Sequence, residues 1–153
     1  MNLNLKDKVI IVSGGAKGIG RGIVKVLSNE GAIPIIIGRN LQDADALVQE
    51  IKASGATAYA VEVELTKPEA CKRVIKTIAD KFGKIDGLVN NAGVNDGVDL
   101  EHGNYELFMQ SLHKNLVHYY LLAQECLPYL KLVEGAVVNI GSKTAETDRK
   151  SVV

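Results

Sequence analysis

The residues of this chain best suited to chemistry lie in a glycine-spaced turn, VSGGAKGIGRG, where Gly14, Gly18 and Gly20 separate an apolar run from a helical pattern. Glycines there let the backbone pass close to a pyrophosphate, whose charge rests on the first turn of the following helix. The spacing is G-x-x-x-G-x-G, not the G-x-G-x-x-G of the dinucleotide fingerprint. At the end of the next apolar run, where an acid would bond the ribose hydroxyls of NAD, stand Arg39 and Asn40 in GRN. A guanidinium offers a planar fork to a 2′-phosphate, and Lys17 inside the glycine turn adds a second positive charge. These residue types favour NADP as cofactor. If both cations are only solvated surface groups, NAD is the alternative.

A turn of this kind works only between a buried strand and a helix, and the flanking sequence supplies both. Short β-branched runs alternate with helical patterns five times: KVIIVSG, AIPIIIGRN, ATAYAVEVEL, KIDGLVNNAG and GAVVNIG read as strands. The first intervening helix places Ile23, Val26 and Leu27 on one face and stops at Gly31; the second turns Leu47, Val48 and Ile51 inward. The third starts on Pro68 and ends at Gly83, and a long fourth helix covers roughly residues 104–131. Near-continuous apolar strands separated by helices predict an α/β fold, a doubly wound parallel sheet of the Rossmann type.

Bulk properties narrow the setting. Eighteen basic residues balance eighteen acidic ones in the 153-residue chain, so no global field draws it to nucleic acid or anionic membrane. No stretch approaches a membrane span or a cleavable leader, and a cytoplasmic location is expected. Cys71 and Cys126, far apart in helical sequence, read as reduced core residues, and no metal site is expected.

SGGAKGIG, NNAG, the asparagine in HKNLVH and the serine in VVNIGS together resemble the short-chain dehydrogenase/reductase family, over about residues 5–146. The resemblance implies that Gly14, Gly18, Ile19 and Gly20 line the pyrophosphate. It also implies that Asn90, Ala92 and Gly93 wall the cofactor and tie the central strands together. Glu64, with Leu65 in VELT, stands where the family usually has an aspartate facing the adenine. NNAGVNDG, NLVHYYLLAQECLPYLK and GAVVNIGSKTA are similar to the bacterial L-fucose dehydrogenase branch, although Gly141 replaces the serine usual there. That likeness implies a sugar or similar small alcohol as substrate. Asn95, Asp96 and Lys143, on loops at strand C-terminal ends, become candidate substrate contacts. The resemblance also implies assembly as a homo-dimer or homo-tetramer through the long helix.

Oxidising a hydroxyl needs a base to take its proton as hydride leaves. The family uses a tyrosine with a lysine four residues later, a serine that bonds the substrate oxygen, and a helix asparagine that holds a water. Ser142 matches the serine and Asn115 the asparagine. The family's tyrosine should follow Ser142 by about a dozen residues. Tyr59, Tyr105, Tyr119, Tyr120 and Tyr129 are followed at the fourth position by Val63, Met109, Ala123, Gln124 and Val133, so none has the lysine. Tyr119 and Tyr120 read as packing residues of the long helix. Residues 1–146 are therefore expected to form a partial dinucleotide-binding domain of five strands, lacking the family's later strands and helices. Residues 147–153 are expected to be a tail foreign to the family, its DRKSVV a sequencing artefact.

Overall fold

The computed structural model describes residues 3–142, so Lys143 and the 147–153 tail lie outside the described residues. Five parallel strands form one sheet in the order β3-β2-β1-β4-β5, with β1 Val9–Ser13, β2 Ile33–Gly38, β3 Tyr59–Glu62, β4 Gly87–Asn90 and β5 Ala136–Asn139. All five are where the apolar runs place them. The chain builds outward from β1 to β3, then returns to place β4 on the other side of β1. That reversal opens a crevice at the strands' C-terminal ends, where ligands of open α/β sheets bind.

Alternation along the central strands feeds two cores. Val9, Ile11, Ile35 and Ile37 face one layer, with Val74 and Ile78 of α3 (Pro68–Phe82) and Leu122 and Cys126 of α5 (His118–Val133). Ile10, Val12 and Ile36 face the other, with Val24 of α1 (Gly18–Asn29) and Leu47, Val48 and Ile51 of α2 (Leu41–Ala53). The inward face of α2 is thus the expected one. In α1 the expectation fails at Val26, which is 58% exposed, whereas Val24 is fully buried. The sheet contacts the turn of α1 centred on Val24 and Ser28, so Val26 points outward.

α3 stops at Gly83 in the left-handed region, as its sequence predicts. The long helix is not uniform: α4 (Tyr105–Leu112) passes through a π-helical turn, His113–Val117, into α5. α5 ends at Val133 and carries Pro128 within it. Cys71 and Cys126 are free and buried, and burial pushes their thiols up to about 11 and about 12. Of the two adjacent tyrosines, Tyr119 is partly buried and donates to the Ile140 carbonyl at 3.2 Å, while Tyr120 is exposed rather than packed. Among the described residues no helix is long and apolar enough to cross a membrane.

Candidate dinucleotide site

A cleft of about 480 Å3 lies along the C-terminal edge of β1, β2 and β4. The glycine turn forms its floor through Gly14, Lys17, Gly18 and Ile19. Arg39 and Asn40, after β2, form one rim with Glu64 and Leu65, and Ala92 and Gly93 close the far side. Two predicted residues are elsewhere. Gly20 lies beneath the floor, where a Cβ would run into the Gly14 carbonyl and the Asn91 amide. Asn90 is fully buried, with its Nδ2 donating to Asn139 Oδ1 at 2.9 Å and to the Tyr119 carbonyl at 3.2 Å. It ties β4 to β5 and α5, and the wall at this step comes from Asn91.

Asn91 also holds the turn in shape. Its Nδ2 donates to the Ser13 and Gly14 carbonyls at 3.0 and 3.2 Å. The backbone N–H groups of Asn91 and Ala92 both donate to Ser13 Oγ, at 2.9 and 3.0 Å. Gly14 has φ +64°, and a Cβ there would sit 2.9 Å from Ala92 Cα. Only glycine meets both constraints. The asparagine doublet of NNAG was the signal for Asn91, but only the register of β4 tells which of the two faces the cleft.

Several features of the floor fit a dinucleotide. α1 has no side-chain cap and no acid in its first turn, whereas α2 is capped by Asn40, α4 by Asn104, and the likewise uncapped α3 carries Glu69 in its first turn. An uncapped first turn suits an external anion. A Cβ on Gly18 would meet nothing within 4 Å, so the space above it is open. On the rim, burial opposes ionisation of Glu64 most strongly. Bonds from the Thr66 N–H and hydroxyl, with Arg39 and Lys67, outweigh it and hold the carboxyl below its ordinary range.

The helix adds two wall residues that the sequence pattern did not single out, Lys114 and His118. They stand four apart and share one helix face. His118 is buried, its Nε2 lies 2.9 Å from the Lys114 carbonyl, and its Nδ1 has no hydrogen-bond partner among the described residues. Burial pulls its imidazole below the ordinary histidine range.

The proposed chemical residues stand off this wall. Asn115 sits in the π-helical turn; its Oδ1 accepts from the Val94 N–H at 2.7 Å, and its Nδ2 donates to the Ser111 carbonyl at 3.1 Å. Ser142 is exposed beyond β5. Neither lines the cleft, and neither do Asn95 and Asp96. Asp96 accepts from Ser111 Oγ at 3.0 Å and lies 3.8 Å from Lys114 Nζ, so it braces the loop against the helix. Lys143 lies outside the described residues. Among the described residues no group of His, Cys, Asp and Glu could hold a metal ion.

The profile of a family described as short chain dehydrogenase matches residues 8–153. The chain belongs to this family. Short-chain dehydrogenases similar to it include the 7alpha-hydroxysteroid dehydrogenase of Clostridium sardiniense. That enzyme is 32% identical over 142 residues, which cover 90% of this chain and 54% of the relative. The crystal structure of Cj0485 dehydrogenase superposes with a TM-score of 0.90 at 39% identity, over 97% of this chain and 56% of that one. Similar structures include a metagenomic short-chain oxidoreductase in complex with NADP (28% identical, TM-score 0.85) and an NADH-dependent reductase complexed with NAD (25% identical, TM-score 0.88). These cover 90% and 95% of this chain, and 63% of each neighbour. The chain thus spans little more than half the length of the relatives it matches.

Proposed function

We propose that this chain binds NAD(P) as the cofactor portion of an oxidoreductase acting on an L-fucose-like sugar or another small alcohol. The observation that carries the reading is the uncapped, glycine-floored start of α1 facing a cleft at the point where the strand order reverses. When bound, the nicotinamide supplies the hydride acceptor. The chain's own residues place the rest: the glycine turn holds the pyrophosphate, and Ala92 and Gly93 wall the nucleotide. Asn90 supports β4 from behind. Ser142 bonds the substrate oxygen, and Asn115 holds the water that the family's helix asparagine binds. Asn95, Asp96 and Lys143 are the substrate contacts, with Asp96 reaching substrate only from its brace on Ser111. Arg39 and Lys17 favour NADP, with NAD the alternative.

None of the five tyrosines has a lysine four residues later, so these 153 residues are expected to bind nucleotide without turning over. Titrating the purified chain with NADP and NAD, then following NAD(P)H formation with L-fucose, tests both parts. Binding without turnover supports the reading. Turnover above the blank removes the claim of inactivity, and failure of both nucleotides to bind removes the reading itself.

The steroid dehydrogenase relative favours a steroid as a second substrate class within the same family, and a 3-oxoacyl group is the other alternative. A substrate panel on the complete coding sequence separates the classes. A dinucleotide-binding module without catalysis would bind tightly and stay inactive there too. Exposed Phe108, Leu116 and Tyr120 on the long helix favour self-association into a dimer or tetramer, which light scattering measures. A cytoplasmic location goes with this reading.

A further inference from the structure

Around the mouth of the cleft the charges pair with one another. Lys17 Nζ lies 2.6 Å from Asp43 Oδ2, and Arg39 Nη1 lies 3.9 Å from Glu64 Oε2. The same Asp43 oxygen also accepts a hydrogen bond from the Asn40 side-chain amide. The Asp43 N–H in turn donates to Asn40 Oδ1 at 3.0 Å, which anchors the carboxylate in the first turn of α2. Asp43 lines the cleft together with Lys17, Arg39 and Asn40. Two of the donors that suit a 2′-phosphate therefore already serve a carboxylate.

Carboxylate and phosphate both present acceptor oxygens and negative charge, so they compete for one set of donors and repel each other. A ribose 2′-hydroxyl differs, because it can donate to a carboxylate and brings no charge. We propose that Asp43 is a specificity-determining residue of the dinucleotide site: it occupies the donors a 2′-phosphate needs and offsets the NADP preference that Lys17 and Arg39 confer. Lys17 is well exposed, and an exposed ion pair is weak. Asp43 therefore tunes the choice of cofactor without forbidding NADP.

The inference rests on the proposed NAD(P) site and is tested by binding alone. The 153-residue chain and its Asp43→Asn variant are titrated separately with NADP and NAD, with circular dichroism confirming the fold. Asp43→Asn should tighten NADP about tenfold and move NAD by no more than about twofold, the scale of one added charge-assisted hydrogen bond and one repulsion removed. Asp43→Ser should move the ratio in the same direction, which covers failure of the first variant to fold. In a Lys17→Gln background the gain for NADP should shrink to below about threefold, because the donor that Asp43 occupies is gone. A ratio unchanged by both Asp43 variants while both nucleotides bind overturns this inference alone, as does an undiminished shift without Lys17. Failure of the unsubstituted chain to bind either nucleotide overturns the underlying site and this inference with it.

Discussion

The sheet's two sides differ sharply in how they are packed. β1 is buried along its whole length and β2 nearly so, between α1 and α2 on one face and α3 and α5 on the other. β5 is exposed at every residue, with Val137 and Val138 at 42% and 49%, and α4 buries no side chain. The first region carries the glycine turn and cleft rim, and the second carries Asn115 and Ser142. The nucleotide cradle is therefore positioned by a core closed on both faces. The proposed chemical residues hang from one helix and an edge strand, held by a few polar bonds. Holding a cofactor needs only the first region, whereas aligning a reacting oxygen needs the second to be equally firm.

The sharpest way to break this contrast is truncation on each side. Ile35→Ala, at a fully buried position in β2, should lower unfolding stability by about 3–4 kcal/mol in a urea titration. An equal loss from Val138→Ala on β5 would erase the difference between the two regions.

The next effect lies at the N-terminal edge of the sheet, at the opposite end of the strands from the cleft. Asp86, with its side chain 4% exposed, accepts from Lys8 Nζ at 2.8 Å and the Val9 N–H at 2.9 Å, and lies 3.2 Å from Lys84 Nζ. Burial opposes its charge most, but Lys8, Val9 and Lys84 together hold the carboxyl below its ordinary value. The unfolded carboxyl, at about 3.9, binds its proton first as pH falls. The stabilisation is therefore present above that value and lost as pH falls through the lower folded one. Asp86→Asn should cost about 2–3 kcal/mol near neutrality and progressively less in acid. A cost that stays constant down to pH 2 would show that the charge is not what matters.

Asn115→Ala sharpens the contrast from the other side. It removes the acceptor for Val94 N–H and the donor to the Ser111 carbonyl, for about 1–2 kcal/mol. Amide exchange should accelerate at Val94 while the β1 and β2 amides keep their protection. Uniform acceleration would mean that the two regions open as one unit. The smallest expected effect belongs to Val138→Ala itself, at most about 0.5 kcal/mol.

Much of the fold was legible because strands of a parallel sheet read as unbroken apolar runs, and all five runs became strands even though β5 stays an exposed edge. The glycine turn was legible because so few residues fit its conformation. Other features were not. Val26 and Val24 are equally apolar and differ only in which meets the sheet. The π-helical turn at Asn115 has no mark in the helical pattern around it, although such turns occur frequently at functional sites. Asn90 and Asn91 are chemically identical neighbours pointing opposite ways. Asp43 carries no distinguishing mark in the sequence, and only the docking of α2 sets it against Lys17.

By itself, then, the sequence determined the order and type of the elements and the presence of a phosphate-suited turn, because these depend on side-chain periodicity and local backbone freedom. The tertiary structure alone decided which asparagine walls the cleft, which cations face an internal carboxylate, and how firmly each half of the site is held. Those outcomes depend on distances between residues remote in the chain, such as Ser13 and Asn91 or Lys17 and Asp43, and no local pattern encodes them.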